Sequence, residues 1–294
     1  MEMWQSDNMS LDRPRNEGQD AAADAPWGQA ARTRRWWEMG LVLAVTVGQS
    51  ALYSVLTLVR RLLAPAPLGQ QTTQLNPSQD TAALWDVLYR TLAVFFDLAL
   101  VALVVYLLWE PGKSALRRIG LDFRRFGGDV GRGILLLAVI GIPGLGLYAV
   151  GRALGITVQV QASGLDSAWW TVPLLVLSAL RAGLTEEVVF IGYLFDRLRR
   201  QGWGWWTIIL STAALRAAYH AYQGIGPIIG NFVMGVVFGW CYRRWGRVMP
   251  LVVAHTLIDI IAFVGYPLAV GLWPGLFGPV PMPTGTPTPT PSAG

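Results

Sequence analysis

Charge is scarce in this chain. Only 14% of its 294 residues are charged, against roughly 25% in a soluble domain, and 53% are hydrophobic. That balance excludes an ordinary soluble globule. A single cysteine, Cys241, excludes an internal disulfide; lying in an apolar run, it reads as a small core residue. Lysine is almost absent, Lys113 being the only one. The net charge of +5 comes from arginines at the ends of apolar runs, which is the pattern of membrane topology rather than of a nucleic-acid partner. The first apolar run begins near Trp36, after a polar leader, and is too long for the core of a cleavable signal. No internal repeat of the transporter kind is apparent.

Long apolar runs are what the chain does have. Several match the roughly 20 residues needed to cross a bilayer, so the expected fold is an all-α polytopic transmembrane bundle of about seven spans. These lie near Trp36–Val59, Leu84–Trp109, Gly133–Ala153, Trp169–Leu198, Trp205–Tyr222, Ile225–Tyr242 and Met249–Leu272. Residues 1–35 are polar and aperiodic and read as a disordered leader, and residues 273–294, ending PTGTPTPTPSAG, as an extended Pro/Thr-rich tail. Arginines cluster in alternate connections (Arg32, Arg34, Arg35; Arg117, Arg118, Arg124, Arg125, Arg132; Arg197, Arg199, Arg200; Arg243, Arg244, Arg247), whereas APAPLGQQTTQLNPSQDTAA has none. The positive-inside rule then puts the N-terminus in the cytoplasm and the tail outside. Arg60, Arg61 and Arg152 fall on the wrong side. Trp36, Trp37, Trp109, Trp169, Trp170, Trp205 and Trp206 stand at span ends, as interfacial anchors do. The stretch GLDFRRFGGDV reads as a short amphipathic interfacial segment.

An ionisable group at the centre of a membrane helix costs roughly 2.5–3.5 kcal/mol on insertion scales, so each one needs a reason. The second half of the chain holds Arg181, Glu186, Glu187, Arg216, His220, His255 and Asp259. Glu186 and Glu187 adjoin in LRAGLTEEVVFIGYLF, about 100° apart on the helix, and can both face a bundle interior. They read as a general base with a supporting carboxylate, or else as ion-pair partners of Arg181 or Arg216. The chain's two histidines, His220 and His255, occupy apolar helices downstream, and His255 and Asp259 share one helix face at i,i+4. Asp259 either orients the imidazole or makes only a local bond. Asn231 either holds a substrate backbone or is satisfied locally. Gly235 and Gly239 form a GxxxG face that permits close helix approach. At 1.5 Å per residue Glu186 lies about 17 Å above Arg197 and His255 about 12 Å above Arg247, but His220 comes out deeper, about 23 Å above Trp205.

In order, EEVVFI at Glu186–Ile191, RAAYH at Arg216–His220, FVMGVVFGWCYRRWG at Phe232–Gly246 and HTLID at His255–Asp259 resemble the CPBP family. These are the CAAX-processing type II proteases and the bacterial bacteriocin-processing or Abi proteins. The resemblance covers roughly residues 168–262. It implies an intramembrane endopeptidase acting on a peptide or protein substrate, membrane-associated or lipidated, with Glu186 activating water. Glu187 supports it, and His220, His255 and Asp259 complete the site. Two positions depart from the family pattern: Ile191 stands where EExxxR has arginine, and Arg216 where FxxxH has phenylalanine. We expect Arg216 to supply from its own helix the cation missing at Ile191.

Peptide hydrolysis in a bilayer needs a base, water and an oxyanion stabiliser, roles that Glu186, His220 and His255 can fill without metal. The alternative is a zinc ion held by His220, His255 and Glu186 with water in the open position; the sequence has no HExxH. Two non-proteolytic readings stay open, a catalytically degenerate scaffold or bacteriocin-immunity-type protein and a proton or ion pathway. The arginine-rich, lysine-poor composition suggests a bacterial cytoplasmic membrane.

Overall fold

Backbone immersed in hydrocarbon must satisfy its own hydrogen bonds, so the apolar runs have little choice but to be helical. The computed structural model describes residues 26–161 and 169–272. Two helices, α1 (Pro26–Val45) and α2 (Val47–Leu62), are followed by a short strand β1 (Thr72–Gln74) and by α3 (Ala83–Leu107). After the one-turn α4 (Ala115–Arg118) come α5 (Phe126–Leu136) and α6 (Ile142–Ala153), then strand β2 (Gln159–Gln161). The second half holds α7 (Thr171–Glu186), α8 (Leu194–Arg200), α9 (Trp205–Tyr219), α10 (Ile225–Trp245), α11 (Met249–Ile260) and α12 (Tyr266–Leu272). The described residues fall into two compact units, one ending at Ala44 and the other beginning at Val45, the division falling at the end of α1. The expected leader extends to residue 35, but the helix already begins at Pro26, because a proline fits the first helical turn and the Ala and Arg residues after it favour helix. Leader residues 1–25 and the tail 273–294 lie outside the described residues.

Four helical stretches are long and apolar enough to cross a membrane: Ala83–Leu107, Phe123–Ala153, Ile225–Trp245 and Met249–Leu268. A fifth arises if Gly28–Val45 and Val47–Leu62 are counted together. The protein is therefore an integral membrane helical bundle. Two of the expected spans do not qualify on length and composition, for identifiable reasons. The helix through residues 171–200 is interrupted in its apolar character by Arg181, Glu186 and Glu187. At 15 residues, α9 reaches only about 22 Å, short of the roughly 30 Å hydrocarbon core.

Within the second unit α2 packs on α9, α9 on α10, α3 on α7, and α11 on both α5 and α7. The GxxxG face does what its spacing predicts. A Cβ on Gly235 would fall 2.8 Å from Ala213 Cα, and one on Gly239 3.0 Å from the Phe195 ring, so only glycine lets α10 lie this close to α9. Gly235→Leu is expected to destabilise the fold by about 1–3 kcal/mol through overpacking. Gly131→Leu, where a Cβ meets nothing within 4 Å, is its control. Thermal unfolding midpoints in detergent check the difference, and equal midpoints would sink the argument.

The bundle is not purely helical. β1 and β2 pair in parallel, Thr72 with Gln159 through Gln74 with Gln161, and the connections around them account for two of the three arginines on the wrong side, Arg61 and Arg152. Arg61 donates from both terminal nitrogens to the Thr72 carbonyl at 3.2 Å. Arg152 donates to the carbonyls of Gly69 at 2.7 Å and Thr157 at 2.9 Å. These arginines fasten connecting loops rather than set topology. At the opposite end Glu110 gathers Arg118 at 2.7 Å, Lys113 at 3.3 Å and Arg200. The bonds from Arg200 and then Lys113 hold its carboxyl at about 2, below the usual 4.5. A carboxyl lowered in the folded state contributes stability above its unfolded value and loses it as pH falls toward the folded one. The melting-temperature gap between wild type and Glu110→Gln should therefore be full above pH about 5 and close as pH falls toward about 2. A gap that does not change with pH would contradict this.

Candidate active site

The site forms where three helices with small or polar contact residues come close. A Cβ on Gly183 in α7 would lie 2.7 Å from Thr256 Oγ1 and 3.2 Å from the Val252 carbonyl. This close approach of α7 to α11 brings His255 against the carboxylate pair. Immediately after Glu186 the backbone widens into a π stretch, Glu187–Tyr193, and a second one, Ile261–Gly265, follows Asp259. Such widenings concentrate at functional sites. Nothing in the apolar pattern of the sequence announces either.

Glu186, Glu187, Arg216 and His255 are 4%, 0%, 1% and 4% exposed. One carboxylate oxygen, Glu187 Oε1, accepts from the Arg216 guanidinium and from His255 Nδ1, the latter at 2.7 Å. Arg216 Nη1 is 3.7 Å from Glu186 Oε2, so one guanidinium spans both acids. The same guanidinium lies over the rings of Phe190 and Phe238 at 5.4 and 5.7 Å and meets Met234 Sδ at 3.8 Å. Ile191, one turn on, is buried. Because a carboxylate only accepts, the proton in the Glu187–His255 bond sits on Nδ1. His255 Nε2 then faces Asp259 Oδ2 at 3.6 Å, an ion-pair distance rather than a hydrogen bond.

His220 caps the end of α9, following its last residue, Tyr219. Its Nδ1 donates to the Arg216 carbonyl at 3.1 Å, which leaves Nε2 for other partners. It is close enough to Glu186 and His255 to interact with both electrostatically, as Asp259 is with Glu186 and His255. Glu186, Glu187, Arg216, His220, His255 and Asp259 thus make one cluster. Asn231 is tied elsewhere: its amide donates to the Pro227 carbonyl of its own helix at 3.0 Å.

Residues 168–261 match the family model described as type II CAAX prenyl endopeptidase, Rce1-like. Over those residues the chain is similar to that family. No curated protein and no solved structure matches it. The Rce1-like segment contains every member of the cluster, and the resemblance read from EEVVFI through HTLID is thereby shown over the residues that carry it.

A zinc ion does not suit the Rce1-like cluster. Among the described residues no group of three or more His, Cys, Asp or Glu side chains is placed to hold a metal ion, so the His220–His255–Glu186 set is not assembled as a ligand shell. The Arg216 guanidinium already occupies the space between the acids, where a divalent cation would be repelled.

Some polar members of the neighbourhood are missed by the sequence reading. Asp97 on α3 pairs with Arg181 at 2.5 Å, so Arg181 is not the partner of the glutamates. The sequence signal was available, since Asp97 is the one acid deep within an apolar 25-residue helix. Tyr219 packs its ring edge-on against His220 at 4.7 Å between centroids. Buried Thr185 Oγ1 and Thr256 Oγ1 have no hydrogen-bond partner, nor do Oε2 of Glu186 and of Glu187. A cavity of about 530 Å³ lies away from all of them, lined by Ala102, Tyr106, Trp109 and Leu116 among others.

Proposed function

We propose that the protein is an intramembrane endopeptidase in which Glu186 activates the attacking water. The observation that carries this reading is the difference between two adjacent carboxylates. Glu187 is committed through Oε1 to Arg216 and His255. Glu186 makes no carboxylate hydrogen bond to a described residue: its Oε2, like that of Glu187, has no hydrogen-bond partner, and its ion contact with Arg216 is at 3.7 Å. Buried polar atoms ordinarily find partners, and a carboxylate oxygen without one accepts readily from water.

In this scheme Glu186 takes a proton from water, and the resulting hydroxide attacks the peptide carbonyl carbon. The C–N bond then breaks, and the proton passes from Glu186 to the departing amine. His255 gives its Nδ1–H to Glu187, so in its protonated form it is the Nε2–H, on the Asp259 side, that stabilises negative charge on the tetrahedral oxygen. His220 plays a different part. With Nδ1–H bound to a backbone carbonyl, its neutral Nε2 can only accept, so it orients the water rather than donates to the oxyanion. Glu187 and Arg216 are positioning residues.

The family description makes a prenylated CAAX peptide the substrate class to try first. Arginine placement supports a cytoplasmic N-terminus in a bacterial membrane, with α7–α8 and α9 completing about seven passes. The scaffold reading keeps one specific support, the two departures at Ile191 and Arg216. Purified protein in liposomes decides between them: cleavage of a prenylated CAAX peptide is expected. Biological effect retained by Glu186→Gln without any cleavage by wild type would select the scaffold. Proton or ion flux in peptide-free liposomes would select the pathway.

A further inference from the structure

The connection between α3 and α5 carries a feature that proteolysis does not use. Phe123 and Phe126 stand at the very start of the Phe123–Ala153 stretch, where they are 77% and 49% exposed, and their rings contact each other at 5.6 Å. Between them stand Arg124 and Arg125, and Arg117 lies one short turn earlier; all three side chains are exposed, and none is in an ion pair among the described residues. The neighbouring acids are already taken. Arg247 binds Asp129 through Nε at 2.9 Å and Asp122 through Nη2 at 3.0 Å, while Glu110 is held by Arg118, Lys113 and Arg200. What remains on this surface is positive charge in excess of its acids, Asp122 facing Arg124 as well as Arg247, interleaved with exposed aromatic rings.

In water, two exposed phenylalanines at a helix start are unfavourable, and three arginines outside any ion pair repel one another. At a bilayer surface both problems vanish, because the rings enter the interface and the guanidiniums meet phosphates. We propose that Arg117, Phe123, Arg124, Arg125 and Phe126 form a binding site for anionic phospholipid headgroups in the leaflet on this side of the bundle. The site is firmly based. The segment bonds to the start of α11, Val248 N–H donating to the Ile119 carbonyl at 2.9 Å and Met249 N–H to the Gly120 carbonyl at 3.1 Å. Gly120, at φ +65°, has no room for a side chain against Arg247. The bound lipid therefore rests on an element directly joined to the helix that carries His255 and Asp259.

Native mass spectrometry of the full chain in detergent, titrated with phosphatidylglycerol or phosphatidylcholine, tests the site. Each arginine near an anionic surface is worth about fivefold in affinity. Wild type should retain phosphatidylglycerol preferentially, and Arg117→Gln/Arg124→Gln/Arg125→Gln should lose that preference by a factor on the order of 100. The charge-preserving triple change to Lys should keep it, and Arg243→Gln/Arg244→Gln, which removes two exposed arginines elsewhere, should too. Phe123→Ser/Phe126→Ser should weaken retention of both lipids. The proposal fails if the Gln triple variant retains phosphatidylglycerol like wild type. It fails equally if the Lys variant behaves like the Gln one, or if the Arg243/Arg244 variant loses as much.

Discussion

Glu186→Gln should lower kcat for peptide cleavage by about 10²–10⁴-fold, the usual worth of a positioned general base. The change is nearly isosteric and removes only the capacity to take a proton. Because Glu186 Oε2 has no hydrogen-bond partner, the amide breaks no bond at that atom, and its 3.7 Å ion contact with Arg216 is the weaker of that arginine's two. Folding should therefore change little, which thermal unfolding of the same preparation checks. Glu187→Gln gives the contrast. It cuts the charge from an oxygen that serves both Arg216 and His255, so its main loss should appear in stability, with activity following. If Glu187→Gln abolished cleavage at unchanged stability while Glu186→Gln stayed active, the two roles would have to be exchanged.

Residue types alone offer two equivalent acids, and only the resemblance gave the base to Glu186; the proposed physical reason for that division was not legible in the sequence. It depends on which helix supplies the cation and on the π widening at Glu187, and an apolar pattern encodes neither. Other parts were readable because physics leaves few alternatives. Runs of about 20 apolar residues have to be helices in a bilayer, and a GxxxG face on α10 has to admit a close neighbour, as Gly235 does for Ala213. Intramembrane acids and imidazoles are costly enough that finding them together is the expected solution. The order of α9 and its end at His220 were harder. Its 15 residues fall short of a full span, so length and composition alone do not mark it as one. Arg247 was read as a topological marker and Arg61 and Arg152 as exceptions to the topology, whereas hydrogen bonds to backbone carbonyls and to Asp129 make all three fasteners. Charge counting cannot separate the two roles, because both place arginine at span ends.

Arg216→Met should cost about 3–5 kcal/mol of stability, since it removes one partner of a buried ion pair and leaves Glu187 with His255 alone. The methionine keeps the stem packed between Phe190 and Phe238, so most of the loss reports the charge. Cleavage should fall with it, because His255 is aimed through the same Glu187 oxygen. The resemblance supplies a sharper version of this test. Arginine is expected at the position of Ile191 and phenylalanine at that of Arg216, and in the fold both positions are buried and belong to helices that meet at Glu187. If the cation has moved from one helix to the other, Arg216→Phe alone should be as damaging as Arg216→Met, and Arg216→Phe/Ile191→Arg should recover much of the loss. The coupling between the two changes should reach about 0.5–3 kcal/mol, as for residues that share a partner. Thermal unfolding and proteoliposome cleavage of the four proteins in that cycle measure it. A double variant no better than Arg216→Phe would mean that the position of the guanidinium on α9, and not merely its charge beside Glu187, is what the site requires.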